Sequence, residues 1–552
     1  MSRPLHCLRY ALLAATMLAP VVAHAEDVTP EQAIELQGQL RGWLTGMLGP
    51  KIKLSDKPIQ VTAEGDHFRL AVDVSGPIAG TPMTIIGGPV TATAKPLGGT
   101  RWSIDNLRQP SPWKVESAKP ADTGLKSISL RADEQTSHGE FDTATGVLMT
   151  YDSSMRGYSS ATEKSDGVRI TSMASVTSHL VSEPVPGGGV NLRTEARGEK
   201  LASEDTLPDG TPFKLTAEKV SLIGLVSNVA FNQVGPIIRG FMSLIPDTPP
   251  PAPQEVVAAS PSTGRPDVLI NAKQALLGSL KLRPAPAPAP RNATAAARPP
   301  APVAPVPPPK AAANPDMTPE QKATAHQLLA SMRALMGGLD EEIALEGLRV
   351  DTSGHVVSFS KIAVGFGFGA PQGKMEAHMT MTVDGLSIPD LPPGAMRDYV
   401  PTHITMRPRV SGVPAADVFA LADHAIDTAS KDTDALSAEA IGLLAKGPLS
   451  MGVDDLAVTM GPATLKGGGE VLMASITDMK GKASFTATGL DELIKQVNAT
   501  PELQQLGAGP VLFLLKGMGR TAGANTVWDV TYADGKVMVN DTDLSSMIPK
   551  GK

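Results

Sequence analysis

The sequence predicts an α+β fold built from two similar modules, each with a capped N-terminal helix, a meandering antiparallel β-sheet and apolar helices. Three observations support this fold class. The same helix-start motif occurs near residue 29 and again near residue 318, and apolar residues alternate with polar ones over long stretches. A proline-rich segment separates the two occurrences of the motif. The chain of 552 residues is long enough for several domains.

The first 25 residues predict a secretory signal peptide that is cleaved after Ala25. Two arginines precede an apolar run from Tyr10 to Val22, and Ala23-His24-Ala25 supplies a cleavage site of small residues. The run is too short to anchor the chain in a bilayer. Cys7, the single cysteine, precedes the run, so cleavage leaves a chain without disulfides or thiolate ligands. We therefore expect a periplasmic protein without a transmembrane span.

The charge balance argues against nucleic acid as a partner. Without the signal segment the chain holds 47 Lys and Arg against 56 Asp and Glu. An acidic protein without a stripe of Lys and Arg has no electrostatic basis for binding phosphate backbones. The same balance gives no reason to expect docking on anionic lipid headgroups.

An internal duplication is predicted from two helix starts 289 residues apart. Thr29-Pro30-Glu31-Gln32 aligns with Thr318-Pro319-Glu320-Gln321, and each segment has the sequence of a capping box. In the same register Gly65 aligns with Gly354, and nine of the 37 aligned positions are identical. The predicted modules are residues 26–245 and 316–552. Two unrelated domains that each open with a well-capped helix are the alternative.

The strands are predicted from alternation and the later helices from longer apolar runs. Apolar residues at alternate positions predict a long half-buried strand, paired with residues 190–196 through a turn at 184–189: Val168, Ile170, Ala174, Val176 and Leu180. Hairpin turns are predicted at Gly65, Gly210, Gly354 and Gly535. Helices are predicted at 220–244, 415–430, 435–444 and 500–516.

Residues 246–315 predict a Pro/Ala-rich disordered linker with 19 of the 49 prolines. Such a segment favours polyproline II and acts as a tether or a semi-rigid spacer. Within it, residues 267–282 have leucines and alanine at helical spacing and predict a short helical island.

No motif of an enzyme or a metal site is present in the sequence. The eight histidines after the signal segment are never three or four residues apart, and HExxH, GxSxG and Walker-type motifs are absent. We therefore predict no catalytic, cofactor-binding or metal-binding residues and a non-enzymatic protein. A hydrolase whose site is dispersed along the sequence is the less favoured alternative.

A glycine-rich segment and a methionine-rich segment are candidate sites. Gly365-Phe366-Gly367-Phe368-Gly369 lacks the following helix that a phosphate loop needs, so it predicts a strand with one bulky and one bare face. Residues 375–381 could suggest a copper site. Strand geometry instead places Met375, Met379 and Met381 on one face, predicted to be core, and His378 on the other.

Acidic pairs and apolar runs complete the candidates. Asp454-Asp455 and Asp541 with Asp543 adjoin turn residues and lack a calcium-ligand ladder, so solvated turns are predicted. Residues 220–245 predict a buried helical hairpin, or else a lid or surface that meets acyl chains or a partner. Val511–Leu515 (VLFLL) occupies the corresponding place in the second half.

The end of the chain resembles a family of uncharacterised secreted alphaproteobacterial proteins known as a domain of unknown function. The residues concerned are 528–532 (WDVTY), Asp534-Gly535, 537–540 (VMVN) and 547–549 (MIP), with 467–471 (GGGEV) and a helix start at 489–497 upstream. More distantly, it is similar to β-sheet envelope proteins of the AsmA type, which are associated with lipid handling. The resemblance implies an envelope role and supplies no catalytic residue.

The function expected from these observations is non-enzymatic binding or carriage of an apolar, lipid-like ligand or envelope component. The expected partners are a lipid or other aliphatic ligand and an envelope protein. The alternative is a two-headed periplasmic scaffold or assembly factor, in which the linker sets the distance between two protein-binding heads.

Overall fold

Antiparallel β-strands dominate the structure, and eight α-helices accompany them in the described part of the chain. The computed structural model describes residues 28–48, 59–229 and 318–544, apart from short gaps within the last two ranges. The described helices are α1 (Pro30–Leu48), α2 (Pro319–Ala334), α3 (Ala395–Asp398), α4 (Ala415–Thr428), α5 (Thr433–Lys446), α6 (Leu490–Ala499), α7 (Pro501–Gln505) and α8 (Ala508–Met518). The signal segment and the whole predicted linker, including its helical island, lie outside the described residues.

The first thirteen strands belong to the N-terminal half. They are β1 (Ile59–Glu64), β2 (His67–Val72), β3 (Gly76–Pro77), β4 (Met83–Ile86), β5 (Val90–Gly98), β6 (Arg101–Arg108), β7 (Trp113–Ser117), β8 (Leu125–Arg131), β9 (Glu134–Asp142), β10 (Val147–Lys164), β11 (Val168–Pro184), β12 (Val190–Thr206) and β13 (Pro212–Val229).

The other strands belong to the C-terminal half. They are β14 (Gly338–Thr352), β15 (His355–Gly369), β16 (Lys374–Asp384), β17 (Pro401–Pro414), β18 (Leu449–Met460), β19 (Ala463–Met473), β20 (Met479–Thr488), β21 (Arg520–Ala522), β22 (Asn525–Ala533), β23 (Lys536–Val539) and β24 (Thr542–Asp543).

One antiparallel sheet runs through both halves of the chain. From β9 to β13, and from β14 to β20, each strand pairs with the next strand of the chain. Helix α3 lies between β16 and β17, and α4 and α5 lie between β17 and β18. Strand β13 pairs with β14 from Phe213 opposite Thr352 to Ser227 opposite Gly338. The two halves therefore share a sheet through the hydrogen bonds of β13 and β14.

The predicted capping boxes are confirmed at both helix starts. In α1 the Gln32 backbone N–H donates to Thr29 Oγ1 at 3.3 Å, and the Thr29 N–H donates to Gln32 Oε1 at 2.9 Å. In α2, Thr318 and Gln321 make the same two bonds at 3.2 and 2.9 Å. Each box satisfies two backbone donors that a helix start leaves without intrahelical partners. The glycine turns that follow, at Gly65 and Gly354, have positive φ angles of 62° and 89°.

The helix predicted at 220–244 is wrong for residues 220–229, and residues 230–244 lie outside the described part of the chain. Residues 220–229 belong to strand β13. Its apolar residues occupy both faces, with Leu222 opposite Ile343 on one face and Ile223 opposite Glu342 on the other. A run that is apolar on both faces does not distinguish strand from helix by period. The β-branched residues of this run favour the strand.

The other secondary-structure predictions agree better with the structure. Strand β11 includes the predicted alternating residues and pairs with β12, which extends well beyond the predicted 190–196. Helices α4 and α5 correspond to the predicted 415–430 and 435–444, and the predicted 500–516 divides into α7 and α8. The start of β11 is less buried than its alternating pattern predicts, because Val168 and Ile170 are about half exposed, at 49% and 50%.

A line of residues with positive φ crosses the sheet at alternate strands. Gly157 in β10, Lys200 in β12, Gly347 in β14 and Gly385 after β16 have φ between 53° and 61°. The registers place Gly347 opposite Glu218, where a Cβ atom would lie 2.6 Å from Cγ of that glutamate. The line divides the sheet into two parts. In the part that contains the starts of β10 and β14, successive side chains of each strand alternate between the two faces of the sheet.

Hydrophobic clusters lie at the two ends of the long sheet. At one end α1 packs Leu36 and Leu40 against strand residues that include Phe68, Trp102 and Tyr151. At the other end α6 buries Leu490, Leu493 and Val497 against Ala463 and Ala487, with Leu512 and Trp528 at the margin. Through the apolar contacts of these clusters, α1 and α6 pack against the two ends of the sheet.

Candidate ligand-binding surface

One face of the sheet is apolar along two adjacent rows. The first row crosses nine strands, β13 to β20 and β22, and the second crosses eight, β13 to β20. Register partners share a face in an antiparallel sheet, which identifies the members of each row. The first row is Leu222, Ile343, Val364, Met381, Met406, Leu456, Gly467, Phe485 and Trp528. The second row is Val220, Leu345, Ile362, Val383, Ile404, Val458, Leu465 and Ala487. We call this surface the apolar face.

The opposite face of the same strands is mainly polar. Asp340, Gly367, His378 and Arg409 are successive register partners there. His378 Nε2 lies 3.1 Å from Asp340 Oδ1, and Arg409 Nε lies 3.1 Å from Asp454 Oδ1. The sheet is thus amphipathic across its thickness, as an antiparallel sheet with one solvated face requires.

The middle of the apolar face retains solvent exposure. Seven large apolar side chains on this face of β14 to β19 are more than a third exposed, and six of them, all but Ile343, lie beyond the two rows: Leu339 (37%), Ile343 (44%), Phe366 (51%), Met379 (38%), Val410 (40%), Met451 (46%) and Val471 (38%). On the polar face of the same strands only Ile223, Leu225 and Leu472 are comparable. An exposed apolar surface that continues from strand to strand is typical of an interaction site.

Helices cover the two ends of this face. At one end Tyr151 and Leu180, which share the face of Phe366 by register, belong to or pack against the α1 cluster. At the other end Ala487 and Trp528 pack with α6 and α8. With strands about 4.8 Å apart, the rows from β13 to β22 extend roughly 38 Å. This length exceeds the roughly 30 Å of a bilayer's hydrocarbon core.

The methionine segment confirms the predicted alternation and corrects its predicted burial. Met379 and Met381 lie on the apolar face, opposite Phe366 and Val364 of β15, whereas His378 lies opposite Gly367 on the polar face. The thioethers and the imidazole therefore do not converge on one ion. Met379 is 38% exposed rather than in a core. The predicted core face is therefore partly open at this residue.

The bare face predicted for the glycine segment is confirmed. Strand β15 places Phe366 and Phe368 on the apolar face and Gly367 on the polar face. A Cβ atom at Gly367 would collide with both His378 and Asp340. Glycine is therefore required where these two side chains pair across the intervening strand.

All eight histidines after the signal segment have a carboxylate partner, a feature that sequence spacing missed. The pairs are His67–Asp66 (3.1 Å), His138–Asp105 (2.6 Å), His179–Asp152 (2.7 Å), His326–Asp423 (2.9 Å), His355–Asp390 (3.1 Å), His378–Asp340 (3.1 Å), His403–Asp384 (2.6 Å) and His424–Glu439 (2.6 Å). Most partners lie tens of residues apart in the chain. Only the strand registers and helix packing bring them together.

Two of these histidines lie in a shallow polar cleft of about 520 Å³ on the polar face. His138, Asp152 and His179 are successive register partners across β9, β10 and β11, with Asp105 beyond His138. The hydrogen bond from His138 to Asp105 raises the pKa of His138, despite some desolvation that opposes it. Ser154 lies on the same face of β10, but no Ser–His hydrogen bond is present in the described part of this cleft. The nucleophile–base contact of a serine hydrolase is missing there.

The acidic pairs take part in local structure. The turn predicted at Asp454-Asp455 is wrong, because both residues lie within strand β18, at the register shift between Val453 and Leu456. Asp454 accepts hydrogen bonds from Arg409 Nε, so this carboxylate is engaged in an ion pair. Asp541 has a φ of 68° and follows β23, which confirms the predicted turn. Among the described residues, no group of three His, Cys, Asp or Glu side chains has the geometry of a metal site.

The fold and this surface define a β-rich protein whose long antiparallel sheet leaves one apolar face partly open. Comparisons with protein-family models, with curated proteins and with solved structures find no match for this chain. In the described ranges no helix combines the length and hydropathy needed to cross a membrane.

Proposed function

We propose that this protein binds or carries an aliphatic, lipid-like ligand of the periplasm along the apolar face, without transforming it. The observation that supports the proposal is the set of seven exposed apolar side chains on one face of β14 to β19. Aromatic residues make up only 4% of the chain, which favours an aliphatic ligand over a stacked sugar. Flexible methionines in the rows suit ligands of varied shape.

The energy of burial sets a lower limit on the ligand's apolar length. Each buried CH₂ group contributes about 0.8 kcal/mol. Association costs at least about 4 kcal/mol, and often more. A chain of about ten methylenes therefore gains enough to bind when most of it is covered, whereas a short chain does not. The roughly 38 Å rows offer room for an extended acyl chain of that size.

Adjacent residues of β19 supply a matched test of the proposal. Val471 lies opposite Met451 on the apolar face, and Leu472 lies opposite Ser450 on the polar face, with exposures of 38% and 43%. We expect Val471→Asp to weaken binding of a fluorescent long-chain fatty acid at least tenfold, because a buried carboxylate lacks a partner there. Leu472→Asp should bind as the wild type does.

Native mass spectrometry of protein purified from its own periplasm provides the second measurement. We expect a co-purified lipid that is lost in the Val471→Asp variant. Ligand-free protein whose thermal stability no lipid extract changes would refute the proposal. Equal weakening by both β19 variants would show that the fatty acid does not bind on the apolar face.

The scaffold alternative needs two heads that the linker holds apart. The pairing of Ser227 with Gly338 instead places β13 beside β14, whatever the length of the chain between them. This pairing weighs against a spacer that separates two heads. The alternative would regain support if shortening the linker impaired function while replacement by another sequence of equal length did not.

The export signal and the duplication also belong to this proposal. Cleavage after Ala25 would deliver the chain to the periplasm, and N-terminal sequencing of the exported protein would establish the site. Each half opens with a capping box, a helix and a glycine turn between two strands, which supports duplication of an ancestral module. The strands that follow differ in number and length between the halves.

A further inference from the structure

Helix α8 exposes an unusual concentration of large apolar side chains. Val511, Phe513, Leu514 and Leu515 are 58%, 70%, 63% and 42% exposed. Of the consecutive apolar residues in this helix, Leu512 packs against the cluster of α6. The exposed set forms one patch on an 11-residue helix. A patch of this kind on an otherwise anchored helix is typical of an interaction surface.

The angular spread of this patch around the helix indicates whether a protein groove or a lipid bilayer covers it. Each helical residue advances by about 100°, so the four exposed side chains cover an arc of roughly 200°. A protein groove receives an apolar stripe of roughly 100°, formed by residues three or four apart. A helix that is apolar over about twice that arc is better buried in an apolar phase that contacts it from several sides. The hydrocarbon boundary of a lipid bilayer is such a medium.

The remaining side of α8 is held firmly to the end of the sheet. Trp528 Nε1 donates a hydrogen bond to the Leu515 carbonyl oxygen at 2.9 Å, and Lys516 forms an ion pair with Asp491 of α6. Trp528 is also the last residue of the first apolar row. Through this hydrogen bond the exposed Leu515 adjoins the end of the first apolar row, and no charged residue lies between Val511 and Leu515.

We propose that α8 docks this protein on a lipid bilayer by inserting Val511, Phe513 and Leu514 among the acyl chains. This proposal rests on the proposed function and extends it. Docking through α8 would place the end of the ligand-binding face against a source of lipid. Insertion is driven by apolar contact. Since Lys516 is already paired and the chain is acidic, anionic headgroups are not required.

Vesicle flotation of the full mature chain tests this inference. We expect the wild type to float with phosphatidylcholine vesicles, and equally with vesicles that also contain phosphatidylglycerol. The double variant Phe513→Asp/Leu514→Asp should float at least tenfold less. Ile34→Asp is the matched control, because Ile34 is 72% exposed on α1 at the other end of the sheet. It should float as the wild type does, and unchanged thermal midpoints should show that all variants fold.

Three results would overturn the inference. The wild type could fail to float with either vesicle, or Ile34→Asp could reduce flotation as much as the α8 variant does. Alternatively, sedimentation could show a dimer that only the α8 variant loses, with no vesicle binding, which would assign the patch to a second copy of the chain. Val471→Asp separates the two proposals, because it should weaken fatty-acid binding at least tenfold and leave flotation intact.

Discussion

Histidine–carboxylate pairs are the most regular feature at the scale of single residues. Most of the pairs are well exposed, so each contributes little to stability at neutral pH. The most elaborate is at the contact of α2 with α4, where His326 Nδ1 lies 2.9 Å from Asp423 and Nε2 lies 2.8 Å from Asp427. Both hydrogen bonds favour the charged imidazole. They raise the pKa of His326 above its ordinary value of 6.5, Asp423 more than Asp427.

The contact of α2 with α4 should therefore depend on pH. A raised pKa means that the contribution of His326 to stability is fully present below pH 6.5 and is lost as the pH rises through the raised value. We expect NMR titration to show a lower pKa for His326 in the variant Asp423→Asn/Asp427→Asn. The difference in thermal midpoint between wild type and variant should shrink as the pH rises. Arg333, which also pairs with Asp423, does not titrate in this range, so a difference independent of pH would assign the effect to Arg333.

At the scale of elements, the local sequence predicts where helices start better than it predicts which apolar segments form strands. Capping residues satisfy the backbone of the first turn wherever that turn lies, so the starts of α1 and α2 are visible in the sequence. The spacing of apolar residues distinguishes strand from helix less well where both faces of the element are apolar. Residues 220–229 form a central strand because β12 and β14 supply hydrogen-bond partners on both edges, which no local pattern reveals.

Removal of either cap should weaken the corresponding helix. We expect Thr29→Ala and Thr318→Ala each to reduce the free energy of unfolding in urea by about 1 kcal/mol, because Oγ1 no longer accepts the N–H of residue 32 or 321. Thr29→Ser and Thr318→Ser keep the acceptor and should match the wild type. An equal loss in the serine variants would mean that the threonine methyl group, and not the cap, is responsible.

At the scale of the whole molecule, the pairing of β13 with β14 joins two halves that the sequence presents as separate modules. Both strands are central in the intact sheet, because β12 and β15 pair with their other edges. Either half alone would expose the edge of a long strand, with unpaired backbone groups and apolar side chains. Such an edge promotes aggregation or pairing with another chain.

The halves should therefore associate when they are produced as separate chains. We expect residues 26–249 and 316–552, expressed together in the periplasm, to purify as a one-to-one complex. Each half produced alone should aggregate. A second pair carrying Leu222→Pro in the first half should fail to associate, because proline at this central position removes a ladder donor and cannot be accommodated there. Stable monomers of the separate halves would contradict a shared sheet.

The sequence alone accounts for the export signal predicted here, for the capped helices and for the alternation that separates His378 from Met379. These features depend on residues that are close together in the chain, so their spacing can be recognised without knowledge of the fold. Most of the histidine–carboxylate pairs depend on strand register or on helix packing. The shared sheet of the two halves and the open apolar face depend on strand register. Register brings together residues that are far apart in the chain. Only the tertiary structure shows which of them meet and which surface no helix covers.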